Sequence, residues 1–586
     1  MMLKALTDYY EVLASKGKVE KPGWSKLNVS YGVVIDEDGT VQNILPLFKQ
    51  AERGKKIVEV PQSLIVPERV KKTVGIKSNY LCDNSAYILG YELKKKDSDK
   101  NPGRAKKCFE SCKQLHSEIL KDCSSPQSKA ILSFFEKWNP DETETVLNKF
   151  CTEKSKAEIL TKGANLLLMP LEKKPTEYSD LTNAWDTYSS ESSDENNSIC
   201  LVTGKRMPIA RLHPSVKGVR DASSMGASLV SFNGDAFTSF GKSQGENSPV
   251  SEYAAFAYTT ALNYLISERR HVSYLGDTTV LCWSEDDNEG CQDIFDEFFG
   301  GEDNNISQKD LEDIVKKISS GQHIEFDGVP INPDNNFYIL GLSPNSARLS
   351  VRFFLKNTFG EFIRNIEKHY DRMSIVKSFD TDQTYVPFWK VLFETVNKES
   401  KNKSSKPQLA GTYLYSVLTD TNYPETLFMN IVIRINAEHD INYIKAGAIK
   451  AYLNKNYKEG LTVSVDKTRT DLPYVLGRLF SVLEEIQSSA NPGINTTIKD
   501  RYFSSASSTP ALVFPNLVDL SQTHLKKIRI ANQPAYIRLS KELTELYGMI
   551  EVPQLPATLT LQEKGMFQIG YYHQTQYRFS KNKEEL

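Results

Sequence analysis

Apolar residues near the start of the chain recur every three or four positions. Leu3, Leu6, Tyr10 and Leu13 fall on one face of a helix, with charged residues between them. This spacing predicts an amphipathic helix rather than a secretory leader, which needs an unbroken apolar stretch. After this helix, β-branched runs bounded by Gly and Pro predict strands at 31–36, 57–61 and 63–67.

The pattern becomes helical between residue 105 and about residue 160, where apolar positions return at helix spacing. The stretch 180–198 is rich in Ser, Asp, Glu and Asn, and this composition predicts a loop or linker. Residues 200–206 predict a strand and a turn. Residues 251–266 predict a helix with Ser251 as its N-cap.

Strand patterns come back at 278–283, 337–342 and 348–354, the last two as neighbours, and a helix is expected at 358–370. The last 120 or so residues carry only helical patterns, which predicts a bundle. We therefore expect an α+β protein, with a mixed α/β N-terminal body and a C-terminal α-helical bundle. The expected domains are 1–198 and 199–360 in the body, an α/β connecting region at 361–464, and the bundle at 465–586.

The composition is that of an ordinary globular protein, since the 586 residues are 39% apolar and 25% charged. The formal net charge of −2 indicates that any nucleic-acid surface is a local patch rather than the whole chain. No run reaches the roughly 18 apolar residues of a membrane span, so we expect a cytoplasmic protein. The eight cysteines form no C-x-x-C pair, which favours reduced thiols.

Motifs for catalysis and metal binding are weak. Gly241-Lys242-Ser243 lacks the earlier glycine of a phosphate-binding loop, because Ala236 stands there. Cys108, Cys112 and His116 share a helical face and, with Cys123, suggest zinc, but buried apolar packing is favoured over a metal. His213 has no nucleophile motif beside it, and the acidic run 285–308 lacks the pattern of a calcium loop. We therefore assign no catalytic residue, metal or cofactor.

Local positive charge is the clearer signal. Eight Lys or Arg face three acids between residues 49 and 77, and six face two between residues 201 and 242. Lysine and arginine on glycine-containing loops can reach phosphates, and amides can contact base edges. Runs of charged residues also occur on surfaces that face only water. The predicted DNA-binding residues are Lys55, Lys56, Lys71, Lys72, Thr73, Asn79, Asn84, Lys205, Arg206, Arg211, Lys217, Arg220, Asn233, Lys242, Gln244 and Asn247.

Several stretches, in order along nearly the whole chain, carry a resemblance to a known family. They include CLVTGKRMPIARLHPSVKGV at 200–219, ASLVSFNGDAFTSFGKSQGENSPVSE at 227–252, FYILGLSPNSARLSVRFF at 337–354 and FQIGYYHQ at 567–574. On these residues the chain resembles the large subunit of the type I-C CRISPR interference complex (Cascade). The stretch 71–90 matches as well, except that Cys82 stands where the family would have a bulkier aromatic.

The resemblance implies a non-catalytic protein that recognises the protospacer-adjacent motif in double-stranded DNA and aids duplex opening and R-loop formation. The implied partners are the CRISPR RNA-containing backbone subunits, the processing subunit at the 5′ end, small subunits, target DNA and a helicase-nuclease. Base pairing to the guide RNA then reads most of the sequence, and the protein needs only a few base contacts.

The bundle at 465–586 resembles the small subunit of the complex, which an internal start in the same gene can supply. It holds fourteen Lys or Arg against twelve acids, and ordinary helix-surface charge explains most of them. Two alternatives to the DNA-recognition hypothesis stay open: a metal-dependent nuclease and a scaffold subunit without DNA contact. Candidates for contact with the displaced strand or the heteroduplex are Lys499, Arg501, Lys526, Lys527 and Arg529.

Overall fold

The computed structural model describes residues 1–53, 56–70, 75–91, 103–191, 197–299, 307–322, 324–326, 328–401 and 405–584. The chain packs as two compact units. Unit 1 comprises Met1–Pro214 and Ser231–Ala261, and unit 2 comprises Ser215–Val230 and Leu262–Leu586. The α+β fold class is confirmed. The division into four domains stays a prediction.

In its described residues, unit 1 combines an N-terminal helix with a four-stranded sheet, a three-stranded sheet, a two-stranded pair and a group of helices. Its helices are α1 (Met2–Ser15), α2 (Ser85–Ile88), α3 (Arg104–Ile119), α4 (Pro126–Lys137), α5 (Thr143–Phe150), α6 (Glu153–Thr161), α7 (Ser179–Glu191) and the first part of α8 (Glu252–Ser267). Its strands are β1 (Trp24–Val29), β2 (Tyr31–Ile35), β3 (Val41–Pro46), β4 (Phe48–Arg53), β5 (Lys56–Pro67), β6 (Cys82–Asp83), β7 (Leu166–Pro170), β8 (Asn197–Ile199) and β9 (Arg206–Pro208).

The central sheet of unit 1 has the strand order β3-β2-β7-β6, with β2 and β7 parallel. Every residue of β2 and β7 is buried, as expected for parallel strands covered on both faces. The chain between these strands crosses over through α3 to α6, whose apolar faces supply Ile131, Phe134 and Phe135 to the core. The predicted N-terminal helix and the helical region from residue 105 are confirmed.

Two predicted boundaries in unit 1 differ from the structure. The expected strands at 57–61 and 63–67 form one strand, β5, which pairs with β4 up to Pro61 and with β1 from Gln62 onward. Pro61 lies where the pairing partner changes, so its missing N–H does not end the strand. The expected linker at 180–198 is largely helix α7, because Leu181 and Trp185 lie four residues apart and are buried in the core.

Unit 2 places a sheet and its helices before a helical C-terminal region. Its strands are β10 (Val272–Leu275), β11 (Thr278–Ser284), β12 (Ile324–Phe326), β13 (Val329–Ile331), β14 (Asn336–Asn345) and β15 (Arg348–Thr358). Its helices, after the end of α8, are α9 (Glu289–Glu297), α10 (Gln308–Ser319), α11 (Phe359–Met373), α12 (Phe388–Phe393), α13 (Pro407–Leu418), α14 (Glu425–Glu438), α15 (Tyr443–Tyr452), α16 (Leu472–Ala490), α17 (Ile498–Ala506), α18 (Pro510–Ala531), α19 (Gln533–Gly548) and α20 (Leu561–Glu584).

The four-stranded sheet of unit 2 is antiparallel, in the order β10-β11-β14-β15. The predicted neighbouring strands at 337–342 and 348–354 are confirmed as β14 and β15, and Thr358 caps the helix that follows them. The region 361–464, predicted as α/β, contains only helices within its described parts, 361–401 and 405–464. Its apolar residues, such as Leu427, Ile431 and Ile435, recur every four positions, which suits a helix rather than a strand.

The C-terminal region is helical as predicted, and it is held together by the contact of α16 with α20. Two glycines allow this contact: a Cβ on Gly477 would lie 1.9 Å from the Phe567 carbonyl oxygen, and one on Gly570 would lie 2.1 Å from that of Tyr474. The apolar core runs continuously from the sheet of unit 2 into these helices. In the described part of the chain, no helix has the length and apolar content needed to cross a bilayer.

Candidate nucleic-acid interface

The first basic segment lies partly outside the described residues. Lys55, Lys71, Lys72 and Thr73 are not among them, and Lys56 is described only as the first backbone position of β5. Their assignment to DNA stays a prediction. What the structure does describe is the protein on either side of residues 71–74, and two predicted amides lie there.

Asn79 has a structural position rather than an exposed one. It is 2% exposed, its Oδ1 accepts from the Val70 N–H at 2.9 Å, and its Nδ2 donates to Asp83 Oδ2 at 2.9 Å. Arg69 lies 3.8 Å from the other oxygen of the fully buried Asp83 carboxylate. The Asn79 amide therefore fixes the backbone at the start of the 71–74 segment, and a direct base contact by this side chain does not fit its burial.

Asn84 caps a helix. Its side-chain oxygen accepts from the Ala86 N–H at 3.1 Å, at the first turn of α2. This interaction is the usual role of asparagine before a helix, and it accounts for the residue without a nucleic-acid partner. For both amides of this segment the sequence allows turn formation or helix capping as well as base contact, because the same residue type serves all three.

The second basic segment begins with a tight turn between β8 and β9. The Cys200 N–H donates to the Lys205 carbonyl at 2.9 Å, and Gly204, at a φ of +71°, donates its N–H to the Cys200 carbonyl at 2.8 Å. Lys205 and Arg206 are both exposed in this turn. The predicted turn at 200–206 is confirmed, but the strands lie on either side of it, since β8 ends at Ile199 and β9 begins at Arg206. The turn carries two exposed cations next to each other in the sequence.

The Cys200 thiol stabilises this turn from within. It is buried and its sulfur accepts the N–H groups of Val202 at 3.4 Å and Ser251 at 3.2 Å. Burial raises the pKa of this thiol, but hydrogen bonds from Ser251 and Thr203 outweigh burial and lower the pKa to about 7. Ser251 also caps α8 through the Ala254 N–H, so its predicted N-cap role is confirmed.

A second loop, residues 239–247, packs against Ala210 and Arg211, which follow β9; we call it the Phe240 loop. The Gly245 N–H donates to the Arg211 carbonyl at 3.2 Å, and the Arg211 guanidinium donates to Gln244 Oε1 at 3.1 Å. A Cβ at Gly245 would lie 2.0 Å from the Ala210 carbonyl oxygen, so only glycine allows this approach. The fold thus brings Arg211 to Gln244, which lies 33 positions later in the chain.

Asn247 holds the Phe240 loop in shape. Its Oδ1 accepts from the Ser239 N–H at 3.0 Å, and its Nδ2 donates to the carbonyl oxygens of Lys242 at 3.2 Å and Gln244 at 3.0 Å. The Asn247 amide is therefore engaged in closing the loop. These bonds position the residues between 239 and 244, and the assignment of Asn247 to DNA stays a prediction.

The most exposed large apolar residue of the described chain stands at the tip of this loop. Phe240 is 97% exposed and adopts a φ of +52°, a conformation that residues with a side chain rarely use. Phe237 is 45% exposed nearby, and Lys242 and Asn233 are exposed in the same stretch. Phe240 is not among the predicted site residues, and the available signal was weak: an aromatic between Ser239 and Gly241 in a polar loop.

Two of the predicted cations of this segment belong to the other unit. Lys217 and Arg220 lie in the 215–230 part of unit 2, where Val216 bridges Ala227. The Lys217 N–H donates to Asn263 Oδ1 at 2.8 Å, and the Arg220 guanidinium lies 5.5 Å from the centroid of the Tyr274 ring. Both side chains are exposed and leave their charge available.

These loops lie in stretches that carry the family resemblance. A comparison with known protein families decides to which family the chain belongs. The model of a CRISPR-associated protein family (Cas_Csd1) matches residues 6–579. The chain belongs to the Cas_Csd1 family of CRISPR-associated proteins. No curated protein sequence matches the chain. The predicted relationship to CRISPR proteins is thereby confirmed at the level of the family, and the subtype I-C assignment stays a prediction.

The C-terminal cations of this Cas_Csd1 chain occupy the surfaces of α17 and α18. Arg501 of α17 and Lys526 of α18 are exposed. Lys499 lies 5.5 Å from the ring centroid of Tyr571, Lys527 donates to Asn491 Oδ1 at 3.2 Å, and Arg529 lies 5.8 Å from the ring centroid of Tyr536. These residues have no carboxylate partner in the described ion pairs, so their positive charge is available to a strand. Contact with the displaced strand or the heteroduplex stays a prediction.

The candidate metal residues of the Cas_Csd1 chain form a packed core. Cys108, Cys112 and His116 are buried on α3, and His116 uses both ring nitrogens: Nε2 accepts from the Leu81 N–H at 2.9 Å, and Nδ1 donates to the Cys112 carbonyl at 2.7 Å. Burial lowers the pKa of His116 to about 4. No cluster of metal-binding side chains occurs among the residues that the structure describes.

His213 and the described part of the acidic run lie in packed surroundings. His213 is 6% exposed with Nδ1 2.6 Å from the Tyr258 hydroxyl, and burial lowers its pKa to about 4. The described part of the acidic run forms α9, in which Ile294 and Phe295 are buried and Glu289 pairs with Arg270 at 2.6 Å. Residues 300–306 of the run lie outside the described residues.

Proposed function

We propose that this chain is the large subunit of a subtype I-C CRISPR RNA-guided interference complex. In this role it recognises the protospacer-adjacent motif in duplex DNA, aids opening of the duplex, and recruits the helicase-nuclease. The Phe240 loop is the observation that carries the proposal. It joins an exposed aromatic side chain with exposed cations on a backbone that is already ordered.

The chemistry of the loop suits a kinked or opened duplex. Apolar side chains that enter between base pairs unstack them, and this costs a few kcal/mol per step that neighbouring contacts must offset. Lys242 and Arg211, together with Lys205 and Arg206 in the adjoining turn, are placed on the same framework and can contact phosphates. Phe240 then acts as the wedge, and the cations provide the affinity.

The test uses the reconstituted complex with duplex targets that carry or lack the motif. Phe240→Ala should leave binding to the duplex within about threefold but slow opening, followed by permanganate reactivity of thymines next to the motif. Phe379→Ala is the matched control, because Phe379 is an exposed phenylalanine of unit 2 at 71%. Unchanged opening with Phe240→Ala removes the wedge assignment.

A second arm measures the charge. The double variant Lys205→Ala, Arg206→Ala should lower affinity for duplex and reduce the salt dependence of binding, by about 0.9 in the logarithmic slope for each phosphate that the protein no longer neutralises. The control is Lys154→Ala with Lys162→Ala, two exposed lysines of unit 1. If the assembled complex binds duplex equally well after the changes at Lys205 and Arg206 and in the Phe240 loop, the chain is a scaffold subunit without DNA contact. Mg²⁺- or Mn²⁺-dependent products from the purified chain and DNA would instead identify a nuclease.

A further inference from the structure

Three basic side chains of unit 2 converge on one carboxylate, and none of these residues is among the predicted DNA-binding residues. The Asp420 carboxylate lies 2.8 Å from the Arg372 guanidinium and 2.6 Å from the Lys455 ammonium. Its other oxygen lies 3.7 Å from the Lys368 ammonium. Arg372 and Lys368 belong to α11, Asp420 follows α13, and Lys455 follows α15. We call these four residues the Asp420 cluster.

A turn of π-helix places Lys455 in the cluster. The end of α15 continues as a π-helix over Leu453–Tyr457. Asn456 of this turn accepts from the Tyr423 N–H at 3.1 Å and donates to the Tyr423 carbonyl at 2.9 Å. Lys455 then donates to the backbone carbonyl of Asp420 at 2.7 Å as well as to its carboxylate. Turns of π-helix are rare and recur at functional sites, and this one fixes a long cationic side chain.

The cluster carries more positive than negative charge. Burial alone would raise the pKa of Asp420, but hydrogen bonds from Lys455 and Arg372 outweigh burial and lower the pKa, so Asp420 is a carboxylate. Three cations and one carboxylate leave two positive charges, and the described ion pairs give the three cations no other acidic partner.

This excess charge is only partly in contact with water. The side chains of Arg372 and Lys455 are 23% and 13% exposed. Uncompensated charges at such positions are unfavourable, and an anion from outside relieves this. Lys368, with 47% of its side chain exposed, leaves the cluster open to solvent on one side.

The positions of the cations favour an anion with several oxygens. Lys455 is engaged with Asp420, so an arriving anion meets Lys368 and Arg372. An ammonium and a guanidinium can donate at once to different oxygens of one phosphate. Thr419 and Thr421 lie on either side of Asp420 with their hydroxyls 3.1 Å apart, and they add neutral donors.

We infer that the Asp420 cluster binds a phosphate group, which Lys368 and Arg372 contact while Lys455 neutralises Asp420. The choice of a phosphate over a carboxylate rests on the proposed function, in which nucleic acid is the ligand. The phosphate belongs either to the backbone of a nucleic-acid strand or to a free phosphate compound, since both present the same oxygens.

The experiment titrates the purified full-length chain with pyrophosphate in a calorimeter, at an ionic strength held constant with KCl. Pyrophosphate should bind at about millimolar concentration or below. Asp420→Asn removes the negative charge but keeps the shape, and asparagine readily adopts the φ of +50° found here. This variant should bind pyrophosphate about threefold more tightly or better, whereas a cluster that only holds the helices together predicts no gain.

A second variant removes one cation. Lys368→Met should weaken pyrophosphate binding about threefold or more, and Lys309→Met, at an exposed lysine of α10, is the matched control. Lys368 makes the longest contact of the cluster, so this variant decides the question if Asp420→Asn does not fold. No binding of pyrophosphate, or equal binding by Lys368→Met and the unchanged chain, overturns the inference. Pentaglutamate that binds as tightly as pyrophosphate also overturns it, because the ligand is then an acidic protein segment.

A last arm separates the two sources of the phosphate. A single-stranded oligonucleotide whose logarithmic salt slope falls by about 0.7 with Lys368→Met identifies a nucleic-acid backbone as the ligand. Pyrophosphate binding without any change in oligonucleotide binding identifies a free phosphate compound. Duplex opening tests the proposed function through the Phe240 loop of unit 1. Failure of the titration with normal, Phe240-dependent opening therefore counts against the Asp420 cluster alone.

Discussion

The Phe240 loop and the α16–α20 contact are held in place by different interactions. Hydrogen bonds hold the loop, and close packing of two backbones holds the helix pair. In the loop, the amide of Asn247 makes three hydrogen bonds to backbone within a short exposed segment and leaves Phe240 in solvent. In the helix pair, Gly477 and Gly570 bring two backbones into direct contact and bury what lies between. Local polar bonds hold an exposed surface in shape, whereas close packing provides stability.

The largest effect is expected where the helices touch. Gly477→Ala places a methyl group 1.9 Å from the Phe567 carbonyl oxygen, so α16 and α20 must move apart, and we expect a loss of about 3 kcal/mol or more in the free energy of unfolding. Gly548→Ala is the control, since nothing lies within 4 Å of its added Cβ at the end of α19. Denaturant unfolding measures both; equal stability of the two variants would contradict the packing account.

Acid should weaken the buried cores in both units. The pKa is lowered by burial to about 4 for His116 and His213 and, by burial and nearby cations, to about 3 for His369 and His573. Unfolded histidine titrates near a pH of about 6.5, so below that pH the unfolded chain binds more protons than the folded one. Stability is then fully present above about pH 6.5 and falls by about 1.4 kcal/mol per pH unit for each such histidine as the pH decreases.

The measurement is the free energy of unfolding at a series of pH values between about 7.5 and 5. A His116→Phe variant that folds should show a slope reduced by about one proton. A stability that is level across this interval would contradict the assignment of these histidines as neutral and buried.

Asn247→Ala should loosen the Phe240 loop while changing the stability of the whole protein only slightly. We expect a change of only about 1–2 kcal/mol in the free energy of unfolding, because water can replace the amide's hydrogen bonds at this partly exposed site. Duplex opening by the complex should nevertheless decline severalfold, since Phe240 is no longer held in place. Asn345→Ala, at an exposed asparagine of unit 2, is the control, and normal opening with Asn247→Ala would show that the loop needs no bracing.

The smallest effect separates capping from base contact at Asn84. Asn84→Ala should cost about 1 kcal/mol of stability, whereas Asn84→Asp retains a good cap and should cost less than about 0.5 kcal/mol. Motif preference measured for Asn84→Asp then reports on DNA alone. A changed motif preference in Asn84→Asp would show that Asn84 contacts a base in addition to capping α2.

Regular spacing made much of the fold predictable. The helix with Leu6 and Leu13 on one face, the adjacent strands β14 and β15, and the capped start of α8 at Ser251 follow from local sequence. The α7 segment was mistaken for a linker because its polar residues outnumber the two that reach the core, Leu181 and Trp185. For the site, the basic segments were found, but Phe240 was not, because its polar neighbours are only a weak signal and the sequence does not show that this aromatic faces solvent rather than the core.

The sequence alone determined the elements with a strong period, the two basic segments, and the family to which the chain belongs. Only the tertiary structure decided which amides hold the protein together and which side chains face solvent. Asn79 and Asn247 have the same chemistry as a base-contacting asparagine, and their hydrogen bonds are made with Val70, Asp83, Ser239 and Gln244. The physical reason is that a hydrogen bond depends on where the folded chain brings donor and acceptor together, and residue type fixes only what each can offer.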